Sequence, residues 1–168
     1  MSIRRTLILF LTLLVLWFVV SEVNHALTVW RVYVFLGGLF VAYAALTQPL
    51  RAGLAASLMA GFVCDANAPA EILGTHTLLF AAAHLTVFKV RDRVSRRDTA
   101  SQVITALLIN LALFFAFSVT QIGRSAAWPR LFADLLFSQV LLILVAPWFF
   151  AFQSRALVMG RVDRDSLA

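Results

Sequence analysis

Apolar residues in this chain come in long runs broken by short polar stretches, with no sustained alternation that would suggest strands. The runs cover about 6–21, 28–47, 49–65, 72–90, 100–121 and 129–152. Several approach the roughly 20 apolar residues that a helix needs to cross about 30 Å of hydrocarbon. The breaks carry helix-start signals. Pro49 and Pro129 suit a first helical position, and Thr99 with Gln102 reads as a capping box. Glu22-Val23-Asn24-His25-Ala26 places Asn at the −3 position of any cleavage after Ala26, a poor small-residue site. The first run therefore reads as an uncleaved span. The pattern predicts an all-α polytopic membrane protein, a six-transmembrane-helix bundle forming one domain over residues 1–168.

Composition sharpens this reading. The chain is 62% hydrophobic and 13% charged, with a mean hydropathy of +0.92. Soluble domains run near 45–50% apolar and about 25% charged. A soluble enzyme, a disordered tail and a disulfide scaffold are excluded. Cys64 is the single cysteine, and no Cys/His spacing suggests a metal.

Charge then sets orientation. The net charge of +6 would suggest nucleic acid in a soluble protein, but here the basic residues fall between apolar runs, where they mark topology and lipid headgroup contact. Six spans put both termini on one side, with Arg4, Arg5, Arg51, Lys89, Arg91, Arg93, Arg96, Arg97, Arg155, Arg161 and Arg164. The other side holds Arg31, Arg124 and Arg130. The positive-inside rule makes the first side cytoplasmic. Trp30, Tyr33 and Trp128 are then expected at the outer interface, and Tyr43 and Trp148 toward the inner one.

The third run carries the most information. Gly53, Ser57 and Gly61 recur every four residues, shadowed by Ala52, Ala56 and Ala60. Such a stripe lies on one helix face and admits another helix closely, either inside the bundle or from a partner. Asp65 continues the series and reads either as a buried carboxylate that orders the outer loop or contacts a partner, or as a solvated loop acid beside Asn67 and Glu71. Asn110, in mid-span, is a candidate intramembrane polar contact. Thr77 and His84 lie seven apart and share a face for packing, His76 reads as interfacial, and so does Asp134. Pro147 is expected to bend the sixth helix.

Catalytic patterns are missing. No Gly-x-Ser-Gly surrounds Ser57, and His84 is expected a helix turn or more from the centre of the fourth span, away from a serine-protease arrangement. Gly61-Phe62-Val63-Cys64-Asp65 lacks the Gly-x-Gly-Asp of intramembrane aspartyl proteases. Nucleotide loops, HExxH and cofactor motifs are also missing. The expectation is a protein that is not an enzyme.

The segment from Leu50-Arg51-Ala52-Gly53 through Gly61-Phe62-Val63-Cys64-Asp65 to Leu73-Gly74, followed by an apolar helix and the basic Lys89–Arg97 loop, resembles the bacterial rod shape-determining protein MreD family. The resemblance carries Gly53, Gly61, Asp65 and Gly74, while Cys64 and Asn67-Ala68-Pro69 depart from the family pattern. It implies a non-enzymatic scaffold in the bacterial inner membrane that helps regulate cell shape and peptidoglycan synthesis. The implied partners are an MreC-like bitopic membrane protein, the actin-like MreB and the RodA–transpeptidase synthase. Gly53, Ser57, Gly61, Asp65 and Gly74 are then candidates for helix packing or partner binding, and Lys89, Arg91, Arg93, Arg96 and Arg97 for a cytoplasmic basic loop. The family's helical arrangement is similar to substrate-binding subunits of energy-coupling-factor transporters. That similarity leaves a small-molecule-binding transporter subunit as the alternative.

Overall fold

A computed structural model describes residues 3–67, 74–94, 98–121 and 128–160. Helix α1 spans Ile3–Leu27 and leads into a 3-10 turn at Thr28–Trp30. Then come α2 (Gly37–Thr47), α3 (Leu50–Ala66), α4 (Thr75–Val90) with a 3-10 turn at Arg91–Arg93, α5 (Thr99–Gln121) and α6 (Trp128–Met159). No strand occurs among the described residues. Among the described residues, three stretches are long and apolar enough to cross a membrane: Ile3–Trp30, Thr99–Ser118 and Trp128–Met159. Helices α2, α3 and α4, at 11, 17 and 16 residues, reach only about 16, 25 and 24 Å at 1.5 Å per residue.

The shortest helix is the most buried. Every residue of α2 from Gly37 to Leu46 is buried, as expected of a helix that is apolar on all sides. Gly37, Gly38, Ala42, Ala44 and Ala45 keep it thin, so α3, α4, α5 and α6 all pack directly on it. Helix α1 closes the bundle against α3 and α6. Tyr43 belongs to this core, stacked on Phe150 with ring centroids 6.0 Å apart, and not to the inner interface expected for it. Trp30, Tyr33, Trp128 and Trp148 are exposed.

The second apolar run is not one helix. After the turn at Thr28–Trp30, Arg31 adopts a left-handed conformation (φ 56) and residues 32–36 run without helical structure into Gly37. Val32-Tyr33-Val34-Phe35 is a β-branched and aromatic stretch, suited to extended backbone. Such backbone is tolerated among apolar helices only where protein groups satisfy it. Here Asp134 Oδ1 accepts from Tyr33 N at 2.9 Å and Ser138 Oγ from Phe35 N at 2.9 Å. Asn24 both accepts from Val34 N at 2.7 Å and donates to Val34 O at 2.9 Å. Asp134 is therefore buried and engaged with the segment, not the interfacial acid expected from sequence.

Other boundaries also move. Helix α1 continues past Ser21 to Leu27, because Glu22 to Ala26 contains no Gly or Pro to stop it. Helix α6 continues past Phe152 to Met159 and contains Pro147. Pro49 is the residue before α3 (φ −59, ψ 140), one position earlier than expected. The cap of α5 is Asp98 and not Thr99: its carboxylate accepts from Ser101 N at 3.0 Å, Ser101 Oγ at 2.7 Å and Ala100 N at 3.3 Å. A carboxylate at this point also meets the positive end of the helix dipole. The Ser101 hydroxyl, with the Ser101 and Ala100 amides, holds the Asp98 carboxyl below its ordinary pKa. A folded-state pKa lowered in this way stabilises the turn above the unfolded value, and that support is lost as pH falls through the folded one. Amide exchange at Ala100 and Ser101 is expected to quicken in Asp98→Ala and in acid, when corrected for intrinsic exchange rates. Unchanged protection in both would show that the cap is not what orders this turn.

Candidate functional site

Residues four apart share a helix face, and on α3 the face bearing Gly53, Ser57, Gly61 and Asp65 is buried against α4. At Gly53 an added Cβ would lie 2.8 Å from His84 Cε1 and 2.8 Å from the Ala44 carbonyl oxygen. One turn on, Ser57 Oγ and His84 Nδ1 form a hydrogen bond of 3.0 Å. At Gly61 a Cβ would come within 2.6 Å of Thr77 Cα, so the α4 backbone itself occupies the space. Ala52, Ala56 and Ala60, on the adjoining face, are buried as well. Of the two uses open to the small-residue stripe, the chain takes internal packing. Helix α4 occupies the face that a partner helix would need.

The seam ends in a polar latch. Asp65 Oδ1 accepts from His76 N at 2.8 Å and from His76 Nδ1 at 3.0 Å, while Oδ2 accepts from Thr77 N at 3.0 Å and Thr77 Oγ1 at 2.6 Å. The first amides of a helix have no partners within it. A carboxylate from the end of α3 thus caps the beginning of α4, where the dipole also favours negative charge. The Asp65 side chain is 1% exposed, so the solvated-acid reading is corrected. Its partner His76, read from sequence as interfacial, lies with its ring centroid 4.3 Å from that of Phe117 on α5. Gly74 precedes α4 with φ +98, a left-handed conformation that a side chain would strain. Leu73 and Glu71 lie outside the described residues.

No family model matches the chain, and no curated protein or solved structure matches it either.

The Ser57–His84 bond corrects the expectation that no serine and histidine meet. The register of α3 on α4 brings them together, as the nucleophile and base of a hydrolase would be. Both side chains, however, are 0% exposed. Nε2 of the same histidine has no hydrogen-bond partner among the described residues, whereas a catalytic base is oriented by a third group. The bond joins α3 to α4.

Asn110 lies at the centre of the bundle, fully buried, and its Oδ1 accepts from Gly38 N at 3.1 Å. This capping of α2 by α5 parallels the capping of α4 by α3. In both cases another helix supplies the acceptor at the start of a short helix. The basic loop divides. Lys89 and Arg93 are exposed. Arg91 is engaged with the fold, donating from an Nη to Gln48 O at 2.9 Å and lying 3.7 Å over the Phe88 ring. Arg96 and Arg97 lie outside the described residues. Among the described residues no group of three or more His, Cys, Asp or Glu side chains could hold a metal ion.

Sequence reasoning missed the roles of Asn24, Asp134 and Ser138 in carrying residues 33–35. The available signal was the spacing of Asp134 and Ser138, four apart and therefore on one face of an otherwise apolar helix.

Proposed function

We propose that this chain is a six-span, non-enzymatic scaffold of the bacterial inner membrane, with both termini cytoplasmic. In this reading it binds an MreC-like bitopic protein and helps organise peptidoglycan synthesis beside MreB and a RodA–transpeptidase synthase. The carrying observation is the α3–α4 seam. Gly53, Gly61, Asp65 and Gly74, the residues on which the MreD resemblance rests, all belong to that seam or the turn entering it.

Two further observations support six crossings. The non-helical residues 32–36 lengthen the reach of this run beyond the roughly 16 Å of α2, toward the hydrocarbon thickness. Helices α3 and α4, near 25 Å each, would cross with their polar ends at the two interfaces. A binding role in place of catalysis is supported by how the buried polar groups are used. Ser57, His84, Asp65 and Asn110 hold helices to one another.

The test is detergent affinity purification of the tagged protein from its own host, followed by mass spectrometry of what remains bound. The expected result is a bitopic periplasmic MreC-like protein, retained when Lys89 and Arg93 are both changed to Gln. Recovery of an ATPase without cell-wall proteins would overturn the scaffold and favour the transporter subunit.

A further inference from the structure

Two cavities adjoin at the end of the bundle where α1 finishes and α6 begins. The first, about 330 Å³, is polar and lined by Asn24, Thr28, Arg31, Tyr33 and Arg130 among others. The second, about 90 Å³, is a narrow crevice with an entirely apolar lining. Its walls include Val20 and Val23 of α1, Val34 and Leu36 of the extended segment, and Leu141 and Val145 of α6. Their linings are consecutive in the chain at two places: Val23 is followed by Asn24, and Tyr33 by Val34. The Asn24–Val34 hydrogen bonds join those two places.

Two arginines against one nearby carboxylate, Asp134, leave the polar cavity net positive. Arg31 and Arg130 have no ion-pair partner among the described residues. The acid one turn along α6, Asp134, is committed to Tyr33 N. Trp30, Tyr33 and Trp128, all exposed, cluster at this same end, and exposed Trp and Tyr favour the headgroup level of a bilayer. A cationic cradle at headgroup depth, beside a dry crevice between two long apolar helices, matches the two ends of a lipid. We propose that this corner binds one anionic glycerophospholipid, its phosphate between Arg31 and Arg130 and one acyl chain along the α1–α6 crevice. This proposal rests on the membrane reading alone and stands apart from any partner in cell-wall synthesis.

The experiment uses delipidated full-length protein in detergent, titrated with phosphatidylglycerol and phosphatidylcholine and followed by native mass spectrometry. One phosphatidylglycerol per chain is expected, bound about thirtyfold more tightly than phosphatidylcholine, because two arginines contribute about 1 kcal/mol each. Arg31→Asn with Arg130→Gln should abolish that preference, Asn being chosen because it tolerates the left-handed backbone at this position. Val145→Trp, which fills the crevice, should weaken both lipids while thermal unfolding confirms a folded protein. A second crevice-filling variant, Leu141→Trp, covers the case in which Val145→Trp fails to fold. Equal binding of the two lipids, or an unchanged preference in the double arginine variant, would overturn the proposal. So would competition by inorganic phosphate as effective as that of phosphatidylglycerol, or tighter binding of a polyprenyl phosphate.

Discussion

Asp65→Ala is expected to lower the stability of the purified protein by about 3 kcal/mol and to free the first turn of α4. Four donors converge on this carboxylate, two of them backbone amides at a helix start. Hydrogen bonds to a charged group are worth about 1.5–3 kcal/mol each, but they share one acceptor and do not add. The donors at the start of α4 lose their acceptor, at about 1–3 kcal/mol for each group left unsatisfied. Thr77→Val removes one hydroxyl donor and leaves the carboxylate three partners, so about 1 kcal/mol is expected. Asp65→Asn should fall between, since its amide nitrogen must face donors that the carboxylate had satisfied. The measurements are denaturant unfolding in mixed micelles and amide exchange over residues 75–78. Exchange unchanged in Asp65→Ala would mean that the latch does not hold α4. The same variants separate structure from function in the host. On the proposed scaffold reading, a fall in rod elongation only in step with the amount of folded protein would mean that the acid serves the fold. A loss beyond that would give the latch a direct part in the proposed function.

The seam was legible in the sequence because its signal is local. Small residues at a period of four say that something approaches α3, whatever that something is. Thr77 and His84, seven apart, marked the matching face of α4. What could not be read was the register between the two faces, which is set by the packing of one helix on another. That register decides whether Ser57 meets His84 or a leucine.

The segment from Arg31 to Leu36 was illegible for a different reason. An apolar run has the same composition whether it is helical or extended. The groups that make the extended form tolerable, Asp134 and Ser138, come from α6, far along the chain. The position of the α5 cap was missed by one residue because Asp98 and Thr99 are both competent caps and adjacent. Only the hydrogen bonds to Ala100 and Ser101 choose between them.

Gly38→Ala is the substitution expected to cause the largest loss for the fewest atoms added. Its Cβ would lie 2.1 Å from the Ala106 carbonyl oxygen and 2.9 Å from Asn110 Cβ. The first obstacle is backbone, so no rotamer change relieves it, and α5 must move away from the bundle axis. Overpacking a core costs about 1–3 kcal/mol. The displacement would also break the Gly38 N to Asn110 Oδ1 bond, leaving a buried amide unsatisfied at about 1–3 kcal/mol more. A loss of about 4 kcal/mol is therefore expected, enough to reduce the folded yield sharply.

Asn110→Ala alone removes the acceptor but keeps the backbone contact, and about 1–2 kcal/mol is expected. Its cost is softened because Asn110 Nδ2 already lacks a partner among the described residues. The decisive comparison is the double variant. The Ala106 carbonyl remains in place whatever stands at position 110, so Asn110→Ala should not rescue Gly38→Ala. Rescue to near the stability of Asn110→Ala would show that the asparagine side chain, and not the closeness of two helix backbones, is what reserves position 38 for glycine.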